Sequence, residues 1–377
     1  MWSPQRYASI GREKGISEEI LQRSISQSEK VLDSEHQLPS LLTLKHFAVR
    51  SRVPYKFLRQ VVERARIETY RKFWVRKRSG GRRYIFVPTP ALKAAQKWIH
   101  EHVLKPVPVH QCSHAFTPHS SILKCATRHC GAKWLIKMDI TGFFESVSEI
   151  QVFRVFRGLG YQPLVAFELA RIATTTPESG AARLRDPVWQ TKGHNKKILS
   201  YSHSVLGYLP QGAPTSPLLS NLVMRGLDEQ IRELASHTGL TYTRYSDDLT
   251  FSRRDTEFDR QRAELFIKQV SKLLSENGFR AQHRKTVVAP PSSRKVVLGL
   301  LVDGDLPRLR REFKDSLKQH LYYLKKFGPI DHANARQFDS VWGLKSHLRG
   351  KIDYAGMIEP DYGERLKDQF ERIDWPT

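Results

Sequence analysis

Two adjacent carboxylates, Asp247 and Asp248, lie in the stretch Tyr245-Ser246-Asp247-Asp248 between two β-prone runs, Leu240–Arg244 and Leu249–Ser252. The pattern predicts a hairpin carrying both acids at its tip. Neighbouring carboxylates repel one another, and holding them together becomes favourable beside a cation such as a divalent metal. An isolated Asp-Asp pair would be an ordinary solvated turn. Here a third acid, Asp139, ends the apolar run Trp134–Met138, which reads as a buried strand delivering a carboxylate to its exposed end. Three aspartates on neighbouring strand ends can hold two Mg2+ ions, which activate an attacking oxygen and stabilise a leaving one during in-line phosphoryl displacement.

Composition agrees with a polyanionic partner. The 377 residues include 62 Lys plus Arg against 38 Asp plus Glu, a formal net charge of +24 spread along the whole chain. The length suffices for a substantial core in one large domain or two to three subdomains. No apolar run of spanning length and no lipidation motif is present, and the start of the chain lacks the apolar core of a secretory signal. Nucleic acid is therefore the expected partner, with no membrane. Three cysteines point to a reducing, cytoplasmic setting. Cys112, His114, Cys125, His129 and Cys130 fit no standard zinc spacing. They read as core thiols and a hydrogen-bonded histidine.

Other segments supply positioning elements. Residues 1–40 are polar and read as a surface-bound or partly flexible extension with one amphipathic candidate around Ile16–Val31; two short helices follow from Leu41. Phe73–Pro88 alternates apolar and basic residues around Ser-Gly-Gly, predicting a hairpin with one cationic face, suited to a triphosphate or a template backbone. Pro90–Leu104 and Phe153–Ile172 read as helices. Residues 173–205 are polar and aperiodic, an inserted surface loop. Leu209–Pro217 places Pro-Gln-Gly-Ala-Pro before an apolar helix, where small residues allow close backbone approach to a ligand. Arg260–Asn277 is an amphipathic helix closed by Gly278. Lys285 and Thr286 follow in a strand, and Val296–Asp303 is a buried strand pair. Pro307–Phe327 is a long helix with Leu309, Phe313, Leu317, Leu321 and Leu324 inward and Arg308, Arg311, Lys314, Lys318 and Lys325 largely elsewhere.

Taken in order and spacing, Asp139-Ile-Thr-Gly-Phe-Phe144-Glu-Ser146, Leu209-Pro-Gln-Gly-Ala-Pro-Thr-Ser-Pro217 and Tyr245-Ser-Asp-Asp248 resemble reverse transcriptases, most closely the bacterial retron type. Ser121–His129 resembles the retron Asn-Ala-x-x-His block, with Cys125 in place of asparagine. Val297-Leu298-Gly299 stands where retron enzymes commonly have Val-Thr-Gly. The resemblance covers about residues 45–360, with no maturase or endonuclease extension expected beyond it. It implies an α+β right-hand polymerase fold with an antiparallel palm sheet and a helical thumb. The implied division is an extension over 1–40, helices and fingers over 41–135, palm over 136–295 with the inserted loop, and primer grip and thumb over 296–377.

The resemblance also implies roles. Asp139, Asp247 and Asp248 would be catalytic and, with Ile140, hold two Mg2+ ions. Lys285 would protonate the departing pyrophosphate, or bind backbone. Arg83, with Arg76 or Lys77, would contact the triphosphate. Gln211 and Gly212 would touch the incoming nucleotide and template base. Phe144 would exclude a ribose 2′-hydroxyl and make DNA the product, while Phe143 beside it is core. Leu298, Gly299, Arg308, Arg311, Lys314 and Lys318 would contact nucleic acid. The partners implied are deoxynucleotides, a partner non-coding RNA, its DNA product and a separate effector protein in antiphage defence. An intron-type or diversity-generating reverse transcriptase, or a scaffold that holds nucleic acid and restrains an effector, are the rival readings.

Overall fold

The structure is a computed structural model, described here for residues 3–65, 67–76, 80–176 and 206–376. In chain order the elements are α1 Pro4–Glu13, α2 Glu18–Leu32, α3 Leu44–Ser51, α4 Tyr55–Val62, β1 Tyr70–Arg76, β2 Arg82–Pro88, α5 Pro90–Ile99, α6 Ile122–Thr127, β3 Trp134–Asp139, α7 Phe143–Ser146, α8 Glu149–Gly158 and α9 Pro163–Ala173. Then come α10 Ser216–His237, β4 Thr241–Tyr245, β5 Asp248–Arg253, α11 Arg260–Glu276, β6 Val287–Ala289, β7 Val296–Val297, β8 Leu300–Leu301, β9 Arg308–Leu309, α12 Arg311–Ala335, α13 Val341–Ile358 and α14 Pro360–Glu371. Two compact units result, one of Met1–Thr117, Ile140–Ile231 and Gln269–Gln282, the other of Pro118–Asp139, Arg232–Lys268 and His283–Thr377.

In the first unit residues 3–40 contribute helices α1 and α2. Leu21, Ile25, Ser28 and Val31 share one face of α2 and are buried. Gln27 donates to the Gly160 carbonyl at 2.7 Å and Tyr161 donates its hydroxyl to the Pro39 carbonyl at 2.9 Å. Their polar residues lie largely on the outer faces of these helices. Helix α5 ends at Ile99 and continues as a π-helical turn over His100–Leu104. The single helix expected over Phe153–Ile172 is two, because Gly160 turns the chain at φ 93 and Pro163 starts α9 afresh. Buried Glu149 joins Arg64 at 2.7 Å and Arg171 at 3.0 Å. Burial alone would raise its pKa, but the two guanidinium groups hold it below the ordinary range.

The second unit is built on an antiparallel sheet ordered β4-β5-β3-β6. Tyr242 and Phe251, cross-strand partners, stack at 5.0 Å, and Phe266 of α11 meets Phe251 edge-on at 4.8 Å. Such aromatic pairs pin register, which matters because a one-residue slip would turn every side chain to the other face. His129 accepts or donates at both ring nitrogens, 2.7 Å from Ser252 Oγ and 2.7 Å from Thr243 Oγ1, and Cys125 Sγ lies 3.4 Å from Thr243 Oγ1. The histidine thus braces both strands of the β4–β5 hairpin, and Cys125 is a buried thiol. The sheet β7-β8-β9 packs with α12 to α14 around Val297, Leu300, Leu317, Leu321, Leu348 and Leu366.

Two expectations for this unit need correction. Lys285 lies in a 3-10 turn, His283–Lys285, with β6 starting only at Val287. The helix expected from Pro307 starts at Arg311, since Arg308 and Leu309 pair with Leu301 and Leu300 as an extra strand. It also runs past Phe327, through a break at Gly328 (φ 79, ψ 167) followed by Pro329.

Across that break His320 Nδ1 and His332 Nε2 come within 2.9 Å, both rings buried. Burial, then the charges of Lys351 and Arg336 and the neighbouring His332 and His347, push His320 down to about 4; burial and Arg336 lower His332. Both pKa values lie below the unfolded value of about 6.5, so the stabilisation is complete above that pH and is lost as pH falls toward about 4. Folding stability is expected to fall across this window, by about 3 kcal/mol at most, the melting temperature falling with it, and His320→Gln to flatten the drop. Calorimetry at stepped pH checks it; parallel curves for the two proteins would remove the pair as the cause.

Candidate active site

The three aspartates are brought together by register. Asp139, last in β3, is the cross-strand partner of Asp248, first in β5, and Asp248 pairs on its other side with Tyr245 of β4. Asp247 stands in the two-residue turn between. The turn requires Ser246 at φ 59, a left-handed conformation costing an L-residue about 1–2 kcal/mol. Arg244, fully buried, donates from Nη1 to the Ser246 carbonyl at 3.1 Å and so holds that turn from beneath. Burial and then mutual repulsion explain the electrostatics. Asp247 is raised by desolvation and by Asp139, and Asp248 by desolvation, Asp247 and Asp139.

Positive charge converges on the same acids. Lys285 Nζ donates to Asp139 Oδ2 at 2.7 Å while remaining half-exposed. Its pKa is raised, first by that hydrogen bond and then by the charges of Asp139, Asp247 and Asp248. Lys137, two residues before Asp139 in β3, lowers Asp248. Among the described residues no three His, Cys, Asp or Glu side chains close into a ready-made metal cage. The donor set nevertheless fits a hard divalent cation. It offers carboxylate oxygens, and two of its acids are held above their ordinary pKa, a penalty that a cation removes. Ile140, next after Asp139, is buried and bridged to Ala281.

The remaining candidates divide. Phe143 is buried at 4%, whereas Phe144 is half-buried, its ring 5.5 Å from Phe143 and 6.1 Å from Phe116. Gln211 accepts at its carbonyl from the Phe86 amide at 2.8 Å. Gly212 has φ 112, and a Cβ there would stand 2.8 Å from the Phe86 carbonyl oxygen. The small residue is thus required by the backbone of β2, which passes against it.

The β1–β2 hairpin does not have one cationic face. Arg76 pairs with Arg82, and Val75 with Arg83. Because side chains alternate, Lys72, Arg76 and Arg82 leave one face and Arg71 and Arg83 the other. The Arg82 guanidinium sits 4.5 Å over Trp74. Arg76 and Arg83 therefore cannot both serve one phosphate from a single face. Lys77 and most of the inserted loop, 177–205, lie outside the described residues.

Leu298 (φ 49) and Gly299 (φ 87) form the two-residue turn of the β7–β8 hairpin, as the left-handed type I′ geometry requires. Arg308 and Lys318 are exposed, Arg311 pairs with Asp315 at 3.4 Å, and Lys314 is half-buried. Lys314 is committed to Glu359 and lies 5.0 Å from the Tyr362 ring, so its charge is engaged within the fold. Sequence reasoning passed over Lys137 and Arg244. Period-two spacing from Asp139 could have found the first; a charge inside an apolar strand just before the turn marks the second.

A family model described as reverse transcriptase (RNA-dependent DNA polymerase) matches residues 75–302, more than half of the chain. The chain is 35% identical over 304 residues to the retron Mx65 reverse transcriptase of Myxococcus xanthus, covering 80% of this chain and 64% of that protein. It is 31% identical over 316 residues to the Myxococcus xanthus retron Mx162 reverse transcriptase, covering 81% and 61%. It is 31% identical over 333 residues to the Escherichia coli retron Ec86 reverse transcriptase, covering 87% and 92%. The chain thus spans about six tenths of the two Myxococcus relatives. Among solved structures, apo telomerase from Candida tropicalis aligns at a TM-score of 0.44 and 12% identity, covering 82% of this chain and 58% of that one. No helix among the described residues is long and apolar enough to cross a membrane. The family match, the identity to retron enzymes and the antiparallel sheet bearing the aspartates together place this chain in the reverse transcriptase family, among its retron-type members, with the α+β right-hand polymerase fold.

Proposed function

We propose that the protein is the RNA-directed DNA polymerase of a retron. It copies part of a partner non-coding RNA into single-stranded DNA joined to that RNA through an internal 2′-hydroxyl, in antiphage defence alongside a separate effector protein. The observation that carries the polymerase reading is the register that sets Asp139 beside Asp248 with Asp247 at the intervening turn. The retron relatives support the finer assignment.

Asp139, Asp247 and Asp248 would hold the divalent ions, taken as two Mg2+, with the main chain at Ile140 as a further ligand. Bound there, the metal supplies Lewis-acid activation of the attacking oxygen and charge stabilisation of the leaving one. Arg244 and Ser246 keep the two hairpin carboxylates in position. Lys285, protonated beside Asp139, holds a proton at Nζ for the departing pyrophosphate. Gln211 and Gly212 line the nucleotide, with Arg83, Arg76 or Lys77 on its phosphates. Leu298, Gly299, Arg308, Arg311 and Lys318 follow the primer and template backbone. The fingers over 41–135, palm over 136–295 and thumb over 296–377 are assigned on the same reading.

Phe144, half-buried beside Phe143 and Phe116, would act as a wall as well as a packing group. Phe144→Ala is expected to raise ribonucleotide incorporation relative to deoxynucleotide by about tenfold or more, corresponding to loss of roughly 1–3 kcal/mol of discrimination. Paired incorporation assays on one template check it, and an unchanged ratio assigns Phe144 to packing alone.

The retron assignment is tested by purifying the protein from its native locus and extracting its nucleic acid. DNase and RNase should each shorten the species, and a 2′-5′ debranching activity should separate DNA from RNA. RNA alone, with deoxynucleotides and Mg2+ supplied, would favour a scaffold. A DNA copy with an ordinary 3′-hydroxyl junction would keep the polymerase and reject the retron.

A further inference from the structure

The break in α12 builds a site that the polymerase reading does not use. Residues 320 and 332 would stand about 18 Å apart along a continuous helix, yet His320 Nδ1 and His332 Nε2 are 2.9 Å apart. Arg336 likewise reaches back to Gln319 at 2.9 Å. The chain folds back at Gly328-Pro329, and the corner encloses a notch of about 380 Å3 whose lining includes Gln319, Tyr323, Phe327, Asp331, His332 and Arg336. Its wall is a ladder of rings. Tyr323 stacks on Phe327 at 5.8 Å and 20°, and on His332 at 5.8 Å and 28°. Phe327 is 52% exposed and Tyr322 58%, which burial in a core does not explain. Lys326 stands 5.1 Å from the Phe327 ring and 5.7 Å from that of Tyr322.

We propose that this notch holds one unpaired nucleobase of a bound nucleic acid. An exposed aromatic face stacks a base whatever its identity. The amide of Gln319 and the carboxylate of Asp331 offer donors and acceptors to a base edge. Lys326, beside the Phe327 ring, and Arg336 give the rim the positive charge that a flanking phosphate needs, against Asp331 alone among the lining acids. An apolar protein segment would leave these cations without counter-charge. The volume falls within the usual range for small-ligand pockets, and a paired base, committed to its own helix, could not enter.

The inference rests on the reading that the chain binds nucleic acid, and the test keeps the two apart. The full chain is titrated with a short hairpin RNA carrying one bulged 2-aminopurine, with the same hairpin lacking the bulge, and with the DNA counterparts. Binding should quench the bulged base, and Phe327→Ala should weaken the bulged hairpin about ten- to hundredfold while the unbulged one changes less than about twofold. Phe327→Tyr should restore the difference, since it keeps the ring. Quenching in the RNA hairpin assigns the notch to the template RNA, and in the DNA hairpin alone to the product strand. Equal losses for bulged and unbulged hairpins, or an unquenched base, would overturn the proposal. Primer extension on a fully paired substrate should survive in Phe327→Ala. Its absence from the wild-type protein would count against the polymerase reading instead.

Discussion

Asp247→Asn is expected to lower nucleotide incorporation by on the order of 10³-fold or more, comparable to losing a principal group that stabilises transition-state charge. The same change should leave the fold intact, and even raise the melting temperature slightly. Asp247 is held above its ordinary pKa by burial and by Asp139, and its ionised form raises Asp248 in turn. Replacing it with a neutral amide removes a buried repulsion, worth about 1 kcal/mol for each pKa unit relieved. Asparagine also keeps an acceptor for the hydrogen bonds from Ser246 and from the main chain of residue 247. A structural aspartate would show the opposite pair of results, reduced melting with activity falling in proportion. Primer extension, RNA affinity and melting measured on one preparation decide it. Near wild-type extension removes the residue from the site.

The second large effect is expected at Gly212. At φ 112 an alanine is strained, and its Cβ would fall 2.8 Å from the Phe86 carbonyl and 3.1 Å from Ile85 Cγ2. Phe86 lies inside β2, paired along β1, and its amide donates to the Gln211 carbonyl at 2.8 Å, so the strand has little freedom to turn that carbonyl aside. Gly212→Ala should therefore cost about 2–4 kcal/mol, from backbone strain plus overpacking, and should separate the β1–β2 hairpin from the Leu209–Pro217 segment. Nucleotide KM is expected to rise together with that loss, since both proposed nucleotide-contacting segments would be displaced. Melting and deoxynucleotide titrations check both parts. A variant that melts with the wild type and raises KM alone would make Gly212 a ligand-facing glycine only.

How much was legible beforehand follows from how local each cause is. The hairpin with two acids at its tip was legible because apolar alternation on either side of a polar pair is a property of neighbouring residues. The buried strand ending at Asp139 was legible for the same reason. Pairing Asp139 with Asp248 depends on strands more than a hundred residues apart, and the motif resemblance supplied what periodicity could not.

The failures have equally specific causes. A hairpin with one cationic face was expected over Phe73–Pro88; the hairpin is there, over Tyr70–Pro88, but the single cationic face is not, since adjacent Arg82 and Arg83 must leave opposite sides of a strand. Arg308 and Leu309 fit a helical stripe as well as a strand, and only the edge offered by Leu300 and Leu301 draws them into the sheet. Lys314 reads as a solvent-facing cation on a helix until Glu359, forty-five residues on, arrives beside it. By itself the sequence determined the family and most local elements and pointed to the chemistry now proposed, because residue type and spacing act within a few residues. Which charges are free, which glycines are obligatory and where α12 turns back on itself were decided only by the tertiary structure, since each depends on atoms from distant parts of the chain brought within contact distance.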